Sequence, residues 1–181
     1  MPPSSLDEAL AQAADPQTSA DEFAGLAKHP SDDVRRRVAT NPSTPVPILI
    51  KLMSRFGAEV SRNAAWPVLL LADPMLLARH EVSLRIQWAS TPAVAGWMLE
   101  VLLASSDEVG LVAAVAGNAS CPPERLARLL VDRRKQVRAA AAGNPRCPVE
   151  ELERLAYDDA YEVLMAVAGN PGAPPDLLER L

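Results

Sequence analysis

A chain of 181 residues, 49% of them hydrophobic, is long enough to bury about 70% of the surface its unfolded form would expose. Its 31 alanines and 24 leucines against only 3 isoleucines favour helices over strands. A net charge of −5 argues against a general nucleic-acid binder, which carries a basic stripe and a high isoelectric point, and two cysteines are too few for a disulfide framework or a closed metal site.

In chain order, Ser5-Leu6-Asp7-Glu8 reads as a capping box that opens a short helix. Residues 1–17 are therefore expected to form an N-terminal capping helix, ahead of a repeat array over 18–181. The array announces itself by self-similarity, the first thing to look for in such a chain. Leu26, Leu52, Leu77, Leu103, Leu129, Leu155 and Leu181 follow one another at intervals of 26, 25, 26, 26, 26 and 26 residues. Eight residues after most of them comes a second apolar marker, Val34, Val60, Leu111, Val137 or Val163, with Leu84 one residue early. Units close on Asn41, Asn118, Asn144 and Asn170, each followed by Pro or Ala. The irregular units lie over 57–108, where Trp66 reads as the replacement for the turn asparagine and Thr91-Pro92 stands at the next one. The last unit, from Ala173, is incomplete.

Each unit reads as two short helices. Pro122 and Pro148 sit where a first helix begins, because a proline there has no donor to lose and a preset φ. Leu126 and Leu129, or Leu152 and Leu155, then fall on one face. The second segment, 137–142 or 163–168, is too short to be helical alone and needs packing against its neighbours. Gly143 and Gly169 are expected to end it in a left-handed cap, and the asparagine side chains to satisfy the turn backbone. Since one unit cannot bury its own apolar stripe, stacked units share a core. The fold class is all-α, a solenoid of about seven two-helix repeats of 25–27 residues.

The recurring pattern Val-x-x-x-Ala/Val-Ala-x-Asn-Pro-x-Cys-Pro-x-Glu-x-Leu-x-x-Leu resembles the leucine-rich repeat variant family of bacteria. The resemblance covers nearly the whole chain, strong over 18–56 and 109–181 and weaker over 57–108. It implies a right-handed superhelix of alternating α and 3₁₀ helices. Some members carry an N-terminal cysteine-rich iron–sulfur segment; the matching residues are absent here, so no cofactor and no metal is expected.

The candidates for chemistry are few. Cys121 and Cys147 share a slot that Thr44 and Ala173 fill elsewhere, which marks them as small buried residues. His29 and His80 end first helices with no nucleophile or carboxylate constellation near them, and read as surface caps. Trp88 reads as core, whereas Trp66 and Trp97, in the disturbed units of a chain poor in aromatics, suit a partner's anchor. Arg35, Arg85 and Arg138 follow the valine or leucine marker, with Arg36 and Arg62 one place further on. A column at one repeat position becomes a surface stripe, cationic toward the N-terminal half. Arg35, Arg36, Arg62, Arg85, Trp66 and Trp97 are therefore the candidate partner-binding residues.

No enzyme motif is present. The expected function is that of a non-catalytic protein–protein interaction or scaffold module with an unknown protein partner. The alternative is a helical-repeat nucleic-acid binder using the arginine stripe and stacking tryptophans, against which the acidic total weighs. The longest uncharged apolar run, 64–72, is interrupted by Pro67 and too short to cross a membrane, and no export signal is evident, so a cytoplasmic setting is expected. Leu177, Leu178 and Leu181 place an apolar face on the incomplete last unit, for which three readings stand: the chain is a fragment of a longer one, two copies pair through this helix as a homodimer, or the last helix frays.

Overall fold

Asparagine and proline punctuate the chain, and helices fill the intervals. A computed structural model describes residues 5–104 and 106–181; these form thirteen helices and no strand. They divide into two compact units, Met1–Arg79 and His80–Leu181. The first holds α1 (Leu6–Ala14), α2 (Ala20–Leu26), α3 (Asp32–Thr40), α4 (Val46–Ser61) and α5 (Trp66–Ala72). The second holds α6 (Val82–Ala89), α7 (Gly96–Leu103), α8 (Val109–Gly117), α9 (Pro123–Leu129), α10 (Lys135–Ala142), α11 (Val149–Leu155), α12 (Tyr161–Ala168) and α13 (Pro175–Leu178). Within the first unit α1 packs on α3 and α3 on α4. Within the second, α6, α8, α10 and α12 lie side by side in that order, flanked by α7, α9 and α11. This layer of second helices is the core: Leu111, Val115, Val137, Ala141, Val163 and Val167 are wholly buried. Such stacking of helix on equivalent helix is what a helical-repeat solenoid requires.

One side chain per repeat joins successive turns. The amide nitrogen Nδ2 of Asn144 donates to the carbonyls of Ala116 and Asn118, at 2.6 and 2.8 Å. Asn170 repeats this toward Ala142 and Asn144, Asn118 toward Ala89 and Thr91, and Asn41 toward Ala13 and Asp15. Meanwhile each Oδ1 accepts the backbone N–H two residues on, Ser43, Ser120, Arg146 or Gly172, at 2.8–2.9 Å. The carbonyls so satisfied stand at or beyond helix C-termini, where no intrahelical donor exists. A small residue must lie two places before the asparagine for the next side chain to come this close, and Ala13, Ala39, Ala89, Ala116 and Ala142 have no exposed surface.

Several expectations change. Asn63, not Trp66, is the turn asparagine of its repeat: it donates to Ala39 and Asn41 and accepts from Ala65. Trp66 lies three residues later, in the slot of Thr44 and Cys121, and its indole N–H donates to Val60 O just as the Thr44 hydroxyl donates to Val38 O. Measured from the asparagine position, Leu102 and not Leu103 is in register; Leu102 is fully buried and Leu103 half-buried. Leu26, Leu52, Leu77, Leu129 and Leu155 are buried, and Leu181 is exposed. Gly143 and Gly169 have φ of −73° and −85°, so no left-handed cap is used; the following asparagine turn ends the helix instead. Both helices of a repeat are α, since Leu126 N–H bonds to Pro122 O in α9 and Arg138 N–H to Arg134 O in α10, four residues back in each case. The expected alternation of a longer α with a shorter 3₁₀ helix is not seen in these repeats. α1 itself occupies a second-helix place, with Asp15 standing where the asparagine would: its Oδ1 accepts from Gln17 N–H.

Two consequences are measurable by chemical denaturation. Leu129→Ala and Leu155→Ala should each cost about 2 to 5 kcal/mol, through lost burial and the cavity left behind. Asn144→Ala should cost about 3 kcal/mol or more, since it leaves two carbonyls and the Arg146 N–H without partners, and Asn144→Asp should not rescue it, because the carboxylate cannot donate.

Candidate partner-binding groove

The arginine column is largely consumed by the protein itself. Arg85 is 3% exposed; its guanidinium donates to Leu102 O, and burial lowers its pKa. Trp66 is 1% exposed. Both therefore sit inside their units rather than on a surface, a correction to their place among the partner-binding candidates: Arg85 serves a backbone carbonyl, and Trp66 fills the slot that a threonine or cysteine fills elsewhere. Arg138 grips both oxygens of Asp158, at 2.7 and 2.9 Å, and reaches Asp159. These hydrogen bonds hold the Asp158 carboxyl down at about 2. Of the remaining candidates, Arg36 is exposed, 3.2 Å from Glu59 and 3.5 Å from Asp33. Arg62 is exposed at the end of α4. Trp97 is 40% exposed beside the buried Met98 and Leu99 on α7.

Arg35 belongs to a different feature. In the first unit, α2, α3 and α4 enclose a groove of about 290 Å³. Its apolar lining comes from Ala24, Ala27, Ile48, Leu52 and Phe56, and its polar lining from Lys28, Arg35, Lys51 and Arg55. The Phe56 ring is the platform for the cations: the Arg35, Arg55 and Arg36 guanidinium carbons lie 5.5, 5.8 and 6.0 Å from its centroid, within the range of cation–π attraction. Asp32 accepts from both Arg35 and Arg55. Burial works against its charge, but these two hydrogen bonds outweigh that and hold its pKa below the usual carboxylate range. Lys28 and Lys51 are exposed and have no ion-pair partner among the described residues. The three arginines are thus met by Asp32, Asp33 and Glu59, and Lys28 and Lys51 are left over as positive charge in a protein whose net charge is −5. Lys28, Lys51, Arg55 and Phe56 lie beside or on first helices and so fall outside the arginine column of the second helices; their signal in the sequence is that two of only three lysines fall in this stretch.

A cleft of about 430 Å³ in the second unit is lined by Glu100, Asp107, Asp132, Arg125, Arg128 and Arg134 among others. There Arg125 pairs with Glu100, and Arg134 pairs with Asp107 and Asp132. The described residues contain no cluster of three metal-ligating side chains, and no described helix is long and apolar enough to cross a membrane. His29 Nδ1 accepts the Ser31 N–H at 3.1 Å, whereas His80 packs edge-on against the buried Trp88, centroids 5.0 Å apart. Cys121 and Cys147 are free and buried, and burial pushes both thiols up to about 11.

That shift has a direction to test. A thiol whose folded pKa lies above its unfolded value of about 8.5 stabilises the fold below that pH, and the stability is lost as pH rises toward 11. Iodoacetamide at pH 8 should therefore leave both cysteines unmodified in the folded protein and alkylate them on unfolding, as mass spectrometry would read; fast alkylation of the folded chain would contradict the burial.

No curated protein and no solved structure matches the chain. A family model described as leucine rich repeat variant matches residues 136–160, the stretch that runs from α10 through the Asn144 turn and α11. The match identifies residues 136–160 as a leucine rich repeat variant unit.

Proposed function

We propose that the chain is a non-catalytic interaction module that binds another protein through the cationic face of its first unit. The observation that carries this reading is that the groove beside Phe56 holds two exposed lysines, Lys28 and Lys51, with no ion-pair partner among the described residues, in an otherwise acidic chain. The asparagine bonds support it from below. They hold the turns of each stack in a fixed geometry, so a surface displayed on the stack is ordered before any partner arrives, which lowers the ordering cost of association. Arg62, exposed at the end of α4, and Arg36, exposed on α3 beside Glu59 and Asp33, lie outside the groove lining and add contacts of their own, and the half-exposed Trp97 offers another. Free, protonated thiols fit a reducing cytoplasmic setting.

The test begins with affinity capture from the source organism and mass spectrometry, followed by binding of the purified partner. Charge reversal by Arg36→Glu with Arg62→Glu should weaken that binding about tenfold or more and leave the helical circular dichroism unchanged. Binding that survives both reversals overturns the reading. So does capture that is abolished by nuclease and falls steeply with salt, the mark of phosphate contacts.

A further inference from the structure

We infer that the groove between α2, α3 and α4 takes an acidic segment of a protein partner, one that inserts an aliphatic side chain between flanking carboxylates. The inference rests on the interaction reading above and names the partner's chemistry. The groove offers two things at once. Its floor, Ile48, Leu52 and Phe56, is buried aliphatic and aromatic surface, and its volume of about 290 Å³ is at the lower end of the range that holds a small ligand. That is room for side chains, not for a helix.

Its rim is cationic in a graded way. Arg35 and Arg55 are held against the Phe56 ring and share the two oxygens of Asp32, so their positions are set. Lys28, following α2, and Lys51, on α4, are exposed and have no ion-pair partner among the described residues. An acidic segment would supply what those lysines lack, and its apolar side chain would cover the floor.

Nucleic acid fits less well. It brings a phosphate every few ångströms along the strand, and most of these would lie over a chain of net charge −5. The ring in the groove is also closed to base stacking, because Phe56 is buried and guanidinium groups stand around it. A short acidic segment places its charges only where the cations are.

The test uses the intact chain with methyl-labelled isoleucine and leucine, read by NMR. Three hexapeptides serve as probes: two leucines between pairs of glutamates, two serines between pairs of glutamates, and two leucines between pairs of lysines; a single-stranded oligonucleotide is the fourth. The leucine–glutamate peptide should move the Ile48 and Leu52 methyl signals saturably. The serine–glutamate peptide should bind about tenfold more weakly, and the lysine peptide should leave those signals in place. Lys28→Glu with Lys51→Glu, both at exposed positions, should abolish the leucine–glutamate shifts while circular dichroism and thermal stability are retained.

Unmoved Ile48 and Leu52 signals overturn the inference, and so does equal binding of the lysine peptide or tighter binding of the oligonucleotide. The two readings separate in competition. A captured partner that binds undiminished with the leucine–glutamate peptide at saturation sinks the groove assignment and leaves the interaction module standing.

Discussion

A helix that ends inside a stack leaves carbonyl groups without donors, and in this protein the donor comes from the next repeat. Each turn asparagine supplies both protons of its Nδ2 to two carbonyls of the preceding turn and uses its Oδ1 to hold its own turn. Three backbone groups are satisfied by one buried side chain, and an unsatisfied buried polar group costs about 1 to 3 kcal/mol. The rest of the repeat follows from this. Alanine two places earlier is the room the asparagine needs, as at Ala39, Ala116 and Ala142. The residue three places later sends its N–H back to the asparagine carbonyl, as Thr44, Cys121, Cys147 and Ala173 do at 2.9–3.1 Å. A proline then caps the following helix at Pro45, Pro122, Pro148 and Pro174, its missing N–H unneeded at that position.

This constraint explains which departures from the period are tolerated. From Asn41 to Asn63 the interval is 22 residues instead of 26, because the two helices of that repeat are fused into α4 with a kink at Phe56, φ −121° and ψ 38°. The loop that elsewhere separates the helices is gone, yet the asparagine bonds are intact. Thr91 shows the limit. Standing in the asparagine position, it has a hydroxyl instead of an amide, which donates to Gln87 O in its own helix, while its carbonyl still accepts from Asn118. Within a unit, then, the loop between helices can shrink or grow while the turn is preserved.

The same facts say why some of the fold was legible in the sequence and some was not. Helix class, the two-helix unit and the asparagine turns at 41, 118, 144 and 170 follow from composition and period, because regular repeats put equal residues at equal spacing. The leucine period was a weaker guide than the asparagine one. It is kept by helix faces that can rotate, so Leu103 matched the count while Leu102 took the core position. Asn63 was invisible to a 26-residue frame because the fused helix shortened the interval. The direction in which a repeat's second nitrogen proton points, toward the neighbouring turn, is a tertiary fact without a local signature. The candidate site suffered most: a column of arginines in sequence says nothing of whether carboxylates such as Asp158 stand opposite, or whether an arginine such as Arg85 is drawn inward to a carbonyl.

The kink in α4 links the two themes. Where a loop would separate the helices of a repeat, Phe56 instead lies at the junction, buried, with its ring facing guanidinium groups from α3 and α4. In the repeat that begins at Cys121, the corresponding stretch holds Asp132 and Arg134, which pair with each other at 2.8 Å and cancel. At the fused, aromatic junction Asp32 serves Arg35 and Arg55, while Glu59 and Asp33 serve Arg36. The charge left over is that of Lys28 and Lys51, which have no ion-pair partner among the described residues. It faces solvent over an apolar floor, which is the condition under which a partner's carboxylates, and not the protein's own, complete the site.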